Sequence, residues 1–90
     1  MDELQTTPEA LESPHVINLV VPIDGVSSLT LREMNLTEIA KFRREATKFG
    51  EVDAMKNIIA QISGVDVATI GKIGTRDFMA CSNYINGFFG

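Results

Sequence analysis

One histidine, one cysteine and one short basic stretch are the features of this 90-residue chain that invite a chemical role. His15 heads an aliphatic run with no second histidine and no cysteine nearby, which makes it a strand-edge residue and not half of a catalytic pair. Cys81 sits between Ala80 and Ser82 without a histidine to activate it, so its expected place is that of a small buried hydrophobe. The stretch KFRREATK holds Lys41, Arg43, Arg44 and Lys48, in the manner of a recognition helix. Glu38 precedes Lys41 by three residues, and Glu45 follows it by four, so that face is laced with opposite charges and not uniformly positive. Residues 71–74, GKIG, lack the GxxxxGK[ST] spacing that wraps phosphate oxygens and mark a helix break. No acid, base and nucleophile can be assembled from these residues, and no catalytic, cofactor-binding or metal-ligating set is assigned. The expectation is a protein that is not an enzyme and has no cofactor.

With catalysis set aside, the chain's end asks for explanation. It closes on NGFFG, and burying Phe88 or Phe89 is worth roughly 1.5–3 kcal/mol each, so either they fold back or something covers them. The net charge of −4 is unevenly placed: residues 1–14 carry Asp2, Glu3, Glu9 and Glu12 with no Lys or Arg, leaving eight acidic against eight basic residues in the body. A neutral body gives no electrostatic footprint for nucleic acid, which argues against a DNA-binding repressor. No apolar run approaches the ~20 residues of a membrane span, and the acidic start is unlike a signal peptide. A lone cysteine fits a reducing compartment. The expected location is the cytoplasm, with neither membrane nor nucleic acid as partner.

The elements follow from pattern. Pro8, Pro14 and the acidic residues mark 1–14 as a flexible acidic tail. A β-hairpin is expected over 15–33, turning at Asp24-Gly25. A two-residue loop would mix its faces, so an odd-length loop is expected, setting Ile17, Leu19, Val21, Ile23, Leu29 and Leu31 on one side. An isolated ribbon is marginal in water, so helices must cover that side. Leu36, Ile39, Phe42, Ala46 and Phe49 stripe a helix within 36–49, capped by Asn35 or Thr37, with Asn35 and Glu38 at capping-box spacing. Val52, Met55, Ile59 and Ile62 stripe a second within 51–63, ended by Gly64 in the left-handed conformation. Asp66 caps a short turn within 66–72. A last helix within 75–87 starts from Thr75, buries Phe78, Cys81 or Ser82, and Ile85, and ends at a left-handed Gly87. The fold class is α+β, one domain of hairpin packed on three to four short helices over residues 15–90.

GVDVATIGKI is similar to the loop of acyl carrier proteins, but the Asp-Ser-Leu motif that carries their prosthetic arm occurs nowhere in the chain. The order of parts points elsewhere. A DG turn followed by LTLRE, an isoleucine-rich segment reaching SGVDVATI, and the close DFMACSNYINGFFG together resemble the tail assembly chaperones of contractile-tailed phages and prophages, the family grouped around the E, 41 and 14 gene products. The resemblance covers about residues 15–90. It implies a protein that binds the tape measure protein and keeps it soluble until the tail tube polymerises around it, working in the host bacterial cytoplasm and missing from the mature virion. Tail tube protein and a longer form made by ribosomal frameshifting are its other implied partners, consecutive Phe codons being able to supply a slip site, and the small core makes further copies of the chain another expected partner. A small structural or adaptor module that stays in the particle is the alternative.

A loose, repeated grip on amphipathic helices asks for adaptable apolar surface, for which Met34, Met55 and Met79 are candidates, with core filling as their plainer role. The expected left-handed cap at Gly87 would leave Phe88 no apolar staple partner, so at least one phenylalanine is free to pack elsewhere. The partner-binding set expected from the sequence is Tyr84, Ile85, Phe88, Phe89, Met79 and Met55. Burial against the hairpin is the competing expectation for the two phenylalanines.

Overall fold

The computed structural model describes residues 15–89, without the side chain of Phe89. The expected acidic tail of residues 1–14 lies outside the described residues. The fold class is the one expected, α+β: strands β1 (His15–Ile23) and β2 (Val26–Leu31) form an antiparallel hairpin, followed by helices α1 (Leu36–Phe49), α2 (Glu51–Ser63), α3 (Val67–Ile70) and α4 (Thr75–Asn86) and a 3₁₀ turn, Gly87–Phe89. The hairpin's inner face, Ile17, Leu19, Leu29 and Leu31, packs with Ile58, Ile59, Ile62, Ile70, Cys81 and Ile85 in a single core. α4 lies against β1, α2 against β2, and α1 against α2.

The hairpin corrects one expectation in an instructive way. Its loop is two residues, not odd: Asp24 and Gly25 both have positive φ, 51° and 82°, as a tight type I′ turn demands. Ile23 therefore pairs with Val26. Yet Ile17 faces Leu29 and His15 faces Leu31, the register an apolar inner face requires. The two demands are reconciled inside β1, where Leu19 to Pro22 oppose Ser27 alone. Pro22 has no N–H to lose from the ladder. Val21 is turned out to solvent by this bulge and does not join the inner face, whereas Leu19 stays buried. The turn is tied down by Lys72 Nζ, which donates to Asp24 Oδ2 at 3.0 Å.

Local capping behaves largely as the sequence requires. Asn35 Oδ1 accepts from the Glu38 N–H at 2.9 Å while Glu38 Oε1 accepts from the Asn35 N–H at 3.0 Å, a complete capping box. Gly64 is left-handed at φ 74°, and the Asp66 side chain accepts from the Ala68 N–H. Two helix ends differ. α4 is preceded by Gly74 and has no side-chain cap, Thr75 being already its first helical residue. Gly87 is right-handed, φ −61°, because the helix tightens directly into the 3₁₀ turn and meets its last carbonyls that way.

The apolar stripe of α1 is also corrected. Phe42 is buried and Ile39 and Ala46 are half-buried, but Leu36 is 82% exposed and Phe49 stands in solvent with the Lys48 ammonium 5.3 Å from its ring centre. The cause is Glu38, which is buried. Arg32 grips both its oxygens, at 2.9 and 2.7 Å, and Gln61 Nε2 donates to it from α2 at 3.0 Å. Holding Glu38 inward turns Leu36, about 200° away round the helix, outward. Val52, expected in the buried stripe of α2, is exposed as well, while Ala54, Met55, Ile58, Ile59 and Ile62 are buried.

Candidate functional site

The residues singled out from the sequence separate into two groups in space. Tyr84 (5% exposed), Ile85 and Met55 (3%) are interred, as is Met34, which corrects the expectation of an exposed patch at Tyr84 and Ile85. Tyr84 is held between rings, stacked on His15 at 4.7 Å between centroids and edge-on to Phe88 at 5.0 Å. Phe88 is thereby half-buried against its own core. The side chain of Phe89 is outside the described residues. Among the described members of the expected set, Met79 alone is freely accessible, at 50%.

Met79 stands on the outer side of α4, beside the N-terminal half of α2. Between the two helices runs a groove of about 220 Å³, lined by Val52 and Met55 from α2 and by Phe78, Met79 and Ser82 from α4, with Glu51 and Asn86 at one end. Its chemistry is apolar with a polar margin. Val52 was the missed signal: it falls on the same helical stripe as Met55 and Ile59, which made it look like core, but α2 extends beyond its cover at that end. The exposed apolar residues Val16, Val20 and Val21 form a second surface on the outer side of the hairpin.

Two buried carboxylates fix the frame around the groove, and neither was expected to be interred. Asp77, in the first turn of α4, accepts from the Val20 N–H at 2.9 and 3.0 Å and from the Val21 N–H at 3.4 Å. It satisfies the donors that the β1 bulge releases from the ladder, 57 residues away along the chain. Glu38 is the other: hydrogen bonding from Arg32, helped by the Asn35 N–H and Gln61 against the cost of burial, holds its carboxyl at about 2, well below its ordinary 4.5. Arg32 is raised in turn, chiefly by its hydrogen bond to Glu38. Cys81 is buried, and desolvation, with Asp77 nearby, pushes its thiol up to about 11. A thiol kept protonated is a packing group, not a nucleophile. Among the described residues no three His, Cys, Asp or Glu side chains are grouped to hold a metal ion.

The described residues form a hairpin-and-helix body that keeps apolar side chains such as Val52, Met79 and Phe49 in water. Comparison with protein families matches residues 17–90 to the phage tail assembly chaperone proteins E, or 41 or 14. The chain belongs to that family. No curated protein and no solved structure matches it.

Proposed function

We propose that this protein holds the tape measure protein, a very long helical chain with apolar faces, and keeps it soluble until tail tube subunits polymerise around it. The observation that carries the reading is the family match across residues 17–90. A holding role also requires apolar surface that stays in water without unfolding the body. Val52, Met79 and Phe49, with Val16, Val20 and Val21 on the hairpin, are surface of that kind on a frame pinned by Glu38 and Asp77. Flexible methionine suits a client of varied sequence, and modest area permits displacement by the tube. On this reading the protein is non-catalytic, acts in the host cytoplasm and leaves before the particle is finished.

Co-expression with the tape measure protein of the same tail gene cluster tests it. The expected result is a large gain in soluble tape measure protein, co-purification of the two, and no chain in purified particles by mass spectrometry. Equal solubility with and without the chain would overturn the holding role. Stoichiometric retention in particles would favour a structural component of the tail.

A further inference from the structure

The two edges of the hairpin are treated differently. Its sheet has only two strands, so each has one side without a neighbouring strand. β1 carries three devices that blunt such an edge: Pro22, the bulge between Asn18 and Ile23, and Asp77, whose carboxylate takes the Val20 and Val21 N–H groups. β2 has none of them. Its sequence, VSSLTL, holds no charge and no proline, and Ser27, Ser28 and Thr30 are exposed. Among the described residues, the backbone of Val26–Leu31 finds its backbone partners on β1 alone, whereas the next residue, Arg32, donates to the Ile62 carbonyl of α2. An open, uncharged edge is a template for one more strand.

We propose that the β2 edge pairs with β2 of a second copy of the chain, antiparallel about a two-fold axis at Ser28, so that two hairpins join into one four-stranded sheet. The occupant has to be extended, and the helical client proposed above has no strand to add. A second copy brings the same open edge, and two-fold pairing satisfies both at once.

Face and charge fix the register. With the axis at Ser28, that serine meets its counterpart and Thr30 lies beside the counterpart of Val26, while Leu29 and Leu31 keep to the helix side. The same register carries Asp24 of each copy to Arg32 of the other, at both ends of the shared ladder. Their side chains are 47% and 48% exposed, so each can take a second partner besides Lys72 and Glu38. Between those ends no like charges face each other. A six-residue strand pair buries less than the about 1,200 Å² of a stable interface, so the dimer is weak and depends on concentration.

The dimer stands independently of the holding role, and the full chain alone tests it. Sedimentation equilibrium over a wide range of concentration is expected to show the mass rising from monomer toward dimer. Ser28→Lys and Ser28→Glu each set like charges against one another at the axis, and each is expected to raise the concentration of half-association about ten-fold. An equimolar mixture of the two variants is expected to return it to within about three-fold of the parent. Because Ser28 is exposed, both variants keep the parent's melting temperature at low concentration. Met79→Glu, in the α2–α4 groove, is expected to leave association unchanged. A monomer at every concentration overturns the proposal, as does association that survives Ser28→Lys, is lost with Met79→Glu, or fails to recover on mixing. If the chain stays monomeric while Ser28→Lys lowers co-purification with the tape measure protein, the edge takes a client strand and self-pairing is rejected.

Discussion

On the side of α4 that meets β1, Asp77 is buried with its carboxylate oxygens taken up by backbone N–H groups of the bulge. On the side that lines the groove, Ser82 is just as deeply set and its hydroxyl is unpaired. The two residues are about 140° apart round one helix, so one element shows both ways of placing a polar group inside a small protein. A group that is paired closes the structure: Asp77 makes tolerable a strand irregularity that would otherwise strand its donors, and Glu38 does the same where α1, α2 and the segment after β2 meet. A group without a partner adds nothing to folding. With so small a core, the closed side must be well satisfied for the open side to be left incomplete.

Breaking the closed side has the largest effect. Asp77→Ala leaves the Val20 and Val21 N–H groups without an acceptor and is expected to cost about 3 kcal/mol, read as a lower denaturant midpoint at unchanged slope. Asp77→Asn, which keeps one acceptor oxygen, is expected to lose less, and equal losses would mean that packing and not hydrogen bonding sets the seam. Glu38→Gln comes next, at about 2 kcal/mol. Because the folded pKa of Glu38 is depressed to about 2 from 4.5, its contribution is full above about pH 4.5 and is lost as pH falls toward 2. An acid titration of stability should therefore be flatter in the Gln variant than in the parent across that window. The open side answers with the opposite sign: Ser82→Ala removes an unpaired buried hydroxyl and is expected to stabilise by about 0.5–1 kcal/mol. A clear loss of stability there would place Ser82 with the closed side and erase the contrast. Met79→Glu, at an exposed position, is expected to move stability by no more than about 0.5 kcal/mol.

What was legible in the chain is what depends on neighbours within one turn. Asn35 and Glu38 are three residues apart, and their capping box forms; Gly64 supplies the left-handed end of α2, and Asp66 caps α3. The DG pair marked the turn, but not how the register would be restored, because that depended on a carboxylate brought up from α4. The tilt of α1 was hidden for the same reason. Its stripe of Leu36, Ile39, Phe42, Ala46 and Phe49 promised one buried face, and the grip of Arg32 and Gln61 on Glu38 rotated it away. Tyr84 looked like contact surface until its stacking with His15 and Phe88 placed it inside.

The sequence by itself determined the α+β class, the place of the Asp24-Gly25 turn and the caps at Asn35, Gly64 and Asp66, since each follows from residue types a few positions apart. Only the tertiary structure decided which apolar residues remain in water, because that depends on which elements end up covering one another. Hydrophobicity says that a side chain gains by burial, but not whether a neighbour will be there to bury it.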